Sequence, residues 1–392
     1  MKAAAFLYPW DVVGDPDAAA RIADLGVQQV TLASAYHSTR ALTPRHPAHR
    51  IVTAAHAAVL YPVDEDRWAG RSLRPYAAGD WAPTADPYGE AAEALAAAGL
   101  DVHSWVVLAH NSRLGADHPD TSVVNAYGDR YPWAPCIAQP AVRAYLTALA
   151  AEAAVRPGAR GTELESCGWY GLAHLHAHDK IAGVGLGDAA QYLMSLCFCR
   201  ACRTGYAELA VEADELRQAV RRALDPAWAA GSSSETGWPA VEKLLGPGLA
   251  AASLAWRTRV ARTLQESAVA AVRAAAPPGF QVLLHADPSA YHCGANAGVD
   301  PRHILGVADG VVVPCAGGPE LLAPFVEHRR PGAASVVAAN LGVVSGMGGS
   351  PATLAGDAAR AAELGASELR LYHAGLASDA DLGLVRAALR QP

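Results

Sequence analysis

Apolar residues recur along this chain in short β-type runs, and most of these runs lead into a longer Ala-rich stretch of helical periodicity. Eight runs stand out: Ala3–Tyr8, Gln28–Ala33, Val102–Leu108, Gly161–Glu165, Gln281–Ala286, Gly310–Pro314, Ser335–Asn340 and Glu368–His373. Several follow a helical pattern that ends in glycine, as in RIADLG before the second, ALAAAG before the third and AAELG before the eighth. Glycine at those places suits a left-handed helix C-cap from which a strand starts at once. Strand–helix repetition over the whole length predicts an α/β fold with a parallel sheet closed by helices. Eight strands make a (β/α)8 TIM barrel the natural solution. A doubly wound open sheet is the alternative, but no G-x-G-x-x-G follows the first run.

Two intervals exceed ordinary connections. Residues 36–87 hold prolines, histidines and a further β-like piece, HRIVTAAHAAVLYPV, and read as an excursion forming a rim or lid. Residues 167–278 hold a His-rich loop, a Cys cluster and two long helical patterns, with GSSSETGWPA (231–240) between them as the expected mobile loop. No internal repeat and no separable second domain is visible, so residues 1–392 read as one decorated barrel with long insertions after strands 2 and 4.

Composition narrows the partners. Hydrophobic content of 52% and a mean hydropathy of +0.10 permit a large core. The net charge of −7 and the lack of a Lys/Arg block make nucleic acid and anionic membrane poor partners. No apolar run approaches membrane-spanning length, and Pro9 and Asp11 interrupt the amino-terminal apolar run too soon for a secretory signal. A cytoplasmic enzyme is the default expectation.

The fourth run carries the sharpest chemical signal, Glu163-Leu164-Glu165. Residues i and i+2 of a strand share a face, so both acids are expected to point inward near the C-terminal mouth, where barrels of this kind do chemistry. The competing reading is that one Glu pairs with an Arg inside the barrel, because a buried carboxylate is costly alone.

Cys197, Cys199 and Cys202 form C-x-C-x2-C, a spacing that lets thiolates converge on one tetrahedral zinc. Cys136 in WAPCIAQP is the first choice of fourth ligand, with Cys167 or a nearby His behind it. Such a closed site would be structural, pinning an insertion, and no organic cofactor is expected. Three inert thiols are the alternative.

The Glu-bearing fourth strand followed by C-x-C-x2-C and a helix resembles the family-42 β-galactosidases, which are (β/α)8 glycoside hydrolases. The segment DRYPWAPCIAQPAVRAYL is similar to the one that precedes their fourth strand. The resemblance implies Arg130 as a substrate-side arginine, Cys136 with Cys197, Cys199 and Cys202 as zinc thiolates, and Glu165 as the acid/base, with Glu163 open as the alternative. The chain departs from the family at two points: Leu164 stands where the family has Asn, and the seventh run carries no Glu, only Asn340 near that depth. The specific likeness covers about residues 125–210 and implies a glycosidase-like barrel rather than a β-galactosidase. Family-42 enzymes commonly trimerise through a domain this chain has no room for, so a homo-oligomer stays open.

A glycoside hydrolase acting on a small glycoside or oligosaccharide needs a proton donor and a second group at the sugar ring. Glu165 is the expected donor, and Glu163, Asp287 or, more weakly, Asp11 the second carboxylate. Residues suited to sugars recur at successive runs: Tyr8, Trp10, Tyr36, His37, Arg40, Trp105, His110, Asn111, His285, Tyr372 and His373. His174, His176 and His178 form a further loop that could contact substrate or, with Asp179, a metal. SGMGGSP (345–351) reads as a helix start or a phosphate cradle. Two alternatives follow: a non-catalytic carbohydrate-binding barrel, and a phosphosugar isomerase or lyase. The latter lacks a convincing Schiff-base lysine, since Lys2, Lys180 and Lys243 are the only lysines and none ends a run.

Overall fold

A computed structural model describes residues 1–173, 179–329 and 335–390. Among the described residues, eight strands close into a barrel: β1 (Lys2–Leu7), β2 (Gln29–Tyr36), β3 (Asp101–Val107), β4 (Ala159–Glu165), β5 (Gln281–Asp287), β6 (Gly310–Pro314), β7 (Val336–Gly342) and β8 (Glu368–Tyr372). Each pairs in parallel with the next, and β1 pairs with both β2 and β8, which leaves no edge. A helix follows each strand, from α1 (Ala18–Ala23) and α2 (Pro87–Ala97) to α3 (Pro140–Ala154), α4 (Pro247–Ala275), α5 (Pro301–Val307), α6 (Ala323–Glu327), α7 (Leu354–Glu363) and α8 (Asp379–Leu389). The fold is the (β/α)8 barrel. Gly26, Gly99 and Gly365, just upstream of β2, β3 and β8, have φ of +93°, +84° and +92°. They are the left-handed caps that the glycine-ended helices predict.

Side chains alternate across each strand, so the outward set packs under the helices while the inward set fills the barrel. The inward set is layered. Leu283, Val312, Val336 and Ala338 form an apolar group, and Gln29, Thr31, His103, Glu163 and Arg370 form a buried polar one. Gly161 makes room for the latter: a Cβ there would lie 2.6 Å from the His103 ring. Above it, Phe6, Tyr8, Trp10, Tyr36 and Trp105 cluster at the C-terminal end.

Three connections shape that end. After β2 come an antiparallel ribbon (Thr39–Leu42 with Ile51–Ala54) and a short strand, Ala58–Val59, antiparallel to β2. Ala41, Val52, Ala54 and Leu60 of this stretch pack onto the aromatic cluster, so it covers the β1–β3 side of the mouth. After β3, Ser122–Val124 pairs antiparallel with Arg130–Pro135, which leads to Cys136. After β4 come helices Asp188–Met194, Arg200–Ala207, Ala213–Ala230 and Trp238–Leu245 before α4. Within residues 231–240, Ser232–Ser233 pairs with Gly185–Leu186 and Trp238 opens a helix, so the expected loop is held by backbone pairing at one end and helix at the other.

Candidate active site and cysteine cluster

The two glutamates of β4 have opposite environments. Glu163 is wholly buried, and its Oε1 accepts Arg370 Nε at 2.6 Å and the Thr31 hydroxyl at 3.1 Å. His285 Nε2 lies 3.4 Å from Oε2. Burial alone would raise this carboxyl, but the Arg370 guanidinium, with His285 and His103 behind it, outweighs burial and holds it down at about 2. Arg370 is itself fully buried and also donates to Glu368 at 2.8 Å. Glu163 therefore corrects the expectation of a substrate-facing acid: it is the anion of an ion pair across the barrel interior. The partner was legible in principle, because Glu368, Arg370 and Tyr372 alternate in ELRLY and share a face.

Glu165, one pleat higher, is 8% exposed. Its Oε2 accepts the Trp105 indole N–H at 2.7 Å. Burial raises its carboxyl, the nearby His285 and the Trp105 hydrogen bond work against this, and Glu163 adds to the rise. The phenols of Tyr8, Tyr36, Tyr170 and Tyr372 all feel its charge. A carboxyl in such a cage favours its protonated form, which is the form of a proton donor.

The aromatic residues expected at the mouth are gathered there, though packed on one another. Tyr8 stacks on Trp10 (4.6 Å between ring centres) and on His373 (4.3 Å), while Tyr36 meets Trp105 edge-on at 4.6 Å. His373 is fully buried, and burial, with Arg45 nearby, pushes its imidazole down to about 3. His37 lies against Tyr36 and His110, and His110 stacks on Tyr170 at 4.4 Å. Tyr170, which the pattern of strand ends did not single out, thus completes the wall beside Glu165. Asp11 is pushed up to about 7 by burial, against the Tyr8 amide and Arg45 that hold it down.

Other expectations change. Arg130 is exposed, bonded to Pro119 O and Asp120 beside the cysteine cluster, and not at the mouth. Asn111 caps the helix Ser112–Asp117 through the Leu114 amide, a local backbone role. Asp287, 14% exposed in its side chain, sits with His292 Nδ1 at 3.1 Å and the Ser289 amide at 2.8 Å, lining a cavity of ≈ 310 Å³. Asn340 and Tyr372 line a second cavity of ≈ 360 Å³ at the ends of β6, β7 and β8. That cavity is bounded by residues 347–350, yet the amides of Met347, Gly348, Gly349 and Ser350 are all donated to carbonyls of the chain. Among the described residues its lining holds no Lys or Arg and includes Asp357, a setting that does not favour a phosphate. His174, His176 and His178 lie outside the described residues.

Four cysteine sulfurs come together away from the barrel axis. Cys136 Sγ lies 3.5 Å from Cys199, 3.7 Å from Cys202 and 3.7 Å from Cys197, and all four sulfurs are within 4.8 Å of one another. A metal bound by four thiolates at about 2.3 Å sets sulfur–sulfur edges of about 3.8 Å, so the cluster fits a tetrahedral metal ion. Amides of Val124 and Cys199 point at Cys197 Sγ, at 3.4 and 3.5 Å, as donors around a metal-bound thiolate do. The C-x-C-x2-C pattern gave three members of this cluster, and the fourth sulfur is that of Cys136, the first choice among the remote candidates.

No family model matches the sequence, and no curated protein does. Among solved structures, the glycoside hydrolase domain of PgaB (BpsB) from Bordetella bronchiseptica matches with a TM-score of 0.59 at 13% identity, over 100% of this chain and 99% of that one. Alpha-L-fucosidase isoenzyme 2 from Paenibacillus thiaminolyticus matches at 0.55 and 12%, over 99% of this chain and 49% of that one. A catalytic mutant of Gan42B, a GH42 β-galactosidase from G. stearothermophilus, matches at 0.54 and 9%, over 99% and 56%. The chain thus spans about half the length of the last two. The likeness drawn from residues 125–210 is met at the level of fold: this chain carries the (β/α)8 barrel that these glycoside hydrolases share.

Proposed function

We propose that the protein is a glycoside hydrolase acting on a small glycoside or oligosaccharide, with Glu165 as general acid/base and Asp287 as the second carboxylate. The observation that carries this reading is Glu165 itself: a carboxyl at the C-terminal end of β4, nearly closed from water, with the Trp105 indole as its hydrogen-bond donor and burial raising its pKa. The barrel shared with glycoside hydrolases supports the choice of reaction. With Glu163 neutralised by Arg370, Asp287 is the inward carboxylate left at a strand end.

In this reading a sugar ring lies at the mouth beside Glu165, with the ≈ 310 Å³ cavity lined by Asp287 as its space; pockets for small ligands run from about 300 to 1,000 Å³. Glu165 protonates the departing oxygen. Asp287, held by His292 and the Ser289 amide, attacks the anomeric carbon or directs water onto it. Turnover on a broad panel of aryl glycosides and oligosaccharides tests the assignment. Binding without product favours the second reading, a carbohydrate-binding barrel, which Asn340 supports by standing on β7 where family-42 enzymes carry an acid.

The pH dependence has a definite sign. The indole N–H of Trp105 stabilises ionised Glu165, so Trp105→Phe raises the Glu165 pKa further. A general acid works while protonated, and the alkaline limb of kcat should move to higher pH in this variant. An unmoved limb would detach Glu165 from it.

The cysteine cluster is assigned to a structural zinc held by Cys136, Cys197, Cys199 and Cys202, which joins the β3–α3 and β4–α4 connections. Four thiolates leave no open coordination position, so the ion takes no part in the reaction. Elemental analysis should find about one zinc per chain, as a single four-ligand site requires, and Cys202→Ser should lose it along with thermal stability. Metal-free protein of unchanged stability would refute the assignment.

A further inference from the structure

We propose that the cavity beside Asp287 selects sugars without an acidic group, and that Asp188 is the residue that sets this choice. The proposal rests on the reading of Asp287 as the second carboxylate and names the class of substrate that reading leaves open. Asp188 opens the helix Asp188–Met194 in the connection after β4 and lines the ≈ 310 Å³ cavity with Asp287, His292 and Asn296. Its Oδ2 accepts the Tyr291 hydroxyl at 2.7 Å and its Oδ1 the Gly237 amide at 2.9 Å. Burial alone would raise its carboxyl, but these donors, the Ala189 amide and His292 outweigh burial and hold it below the usual carboxylate range. Asp188 is therefore an anion at neutral pH, fixed by donors from two connections, with 36% of its side chain left open.

The cation at this cavity is already taken. His292 stands between the two acids, with Nδ1 3.1 Å from Asp287 Oδ2 and Nε2 3.8 Å from Asp188 Oδ2. The hydrogen bond to Asp287 raises its imidazole most, burial works against this, and the charges of Asp287 and Asp188 add to the rise. Two carboxylates thus share one imidazolium, and among the described residues no Lys or Arg lines the cavity. Four side-chain donors on the lining are engaged within the chain as well. The Ser195 hydroxyl donates to Gln191 O, the Gln191 amide to Leu186 O and the Tyr291 hydroxyl to Asp188, while the Tyr192 hydroxyl pairs with Ser253. Acceptors remain: the carboxylates of Asp188 and Asp287, and Asn296 Oδ1, which is buried with no partner among the described residues. A sugar hydroxyl can donate to such acceptors, whereas an ionised carboxylate only accepts. A sugar acid would also bring a third negative charge to a wall that holds one positive one, and like charges brought together are strongly unfavourable.

The test uses the full chain and a panel of 4-nitrophenyl hexopyranosides in matched forms: the hexuronide, and the hexuronamide, which has the size of the uronide without its charge. In the wild type at neutral pH, kcat/KM should fall about 100-fold from uronamide to uronide. Asp188→Asn keeps an oxygen for the Tyr291 hydroxyl but loses the charge, and should narrow that gap about tenfold. Equal rates on uronide and uronamide, or a gap that Asp188→Asn leaves unchanged, overturn the proposal. If neither these forms nor the plain hexosides are turned over, the failure belongs to the catalytic reading. Saturation-transfer NMR then makes the same comparison by binding. The uronamide should bind and the uronide should not; equal binding of both, or of neither, overturns the proposal. Should Asp188→Asn fail to fold, the wild-type comparison alone decides.

Discussion

Glu165→Gln should reduce turnover by roughly 10²–10⁴-fold, the span that general acid–base catalysis contributes, and leave the fold intact. Glutamine keeps the volume of the side chain and an oxygen to accept the Trp105 indole N–H, but its amide cannot deliver a proton to a leaving oxygen. Stability should hold or rise. Burial raises the Glu165 carboxyl, so the folded chain prefers it neutral, and its contribution is present at low pH and lost as pH rises through the folded pKa. The variant escapes that loss, and the gain should appear in thermal melts on the alkaline side. Full activity of Glu165→Gln on a validated substrate would remove this residue from the mechanism.

Arg370→Met should have the largest effect on stability, about 3–5 kcal/mol, because it strands a buried carboxylate without its cation. Glu163 and Arg370 are both fully buried, 2.6 Å apart. Adding Glu163→Gln to Arg370→Met should recover most of the loss, since the fully buried carboxylate is gone and the one left without Arg370, Glu368, is partly exposed to water. Acidity separates the cases. In the wild type the Glu163 carboxyl is held down at about 2 against an ordinary 4.5, so its contribution is complete above pH 4.5 and disappears as pH falls towards 2. In Arg370→Met burial is opposed only by His285 and His103, the carboxyl rises from its wild-type position, and acidification that protonates it should restore stability. Chemical unfolding at several pH values measures both. Equal stability of Arg370→Met and wild type at neutral pH would mean that the pair contributes nothing.

The barrel was legible because its signals are local. Apolar runs and glycine-ended helices repeat on the scale of one strand–helix unit, and Gly26, Gly99 and Gly365 adopt the conformation that only a helix cap demands. The cysteine cluster was legible because three of its members lie within six residues, so that only Cys136 had to be found at a distance. What escaped the sequence depends on which strand ends face each other. Glu163 and Glu165 are equivalent by alternation, and nothing near them says that Arg370, 207 residues away, neutralises the first alone. Arg130 failed for a related reason. It lies on the ribbon that delivers Cys136, and that ribbon turns it towards Asp120, outside the barrel. The glycines at 345–350 promised open amides, but those of Met347, Gly348, Gly349 and Ser350 are taken by carbonyls of the chain.

The ion pair inside the barrel also bears on the order in which the molecule can be completed. Synthesis proceeds from the amino terminus, so β4 leaves the ribosome long before β8, and the acid of one waits for the base of the other. A half-barrel ending at β4 or β5 would have to keep Glu163 hydrated or protonated, and cannot close around it as a charged group. Fragments split between β5 and β6 should therefore gain native structure only on recombination, when the late strand brings Arg370 to the early one.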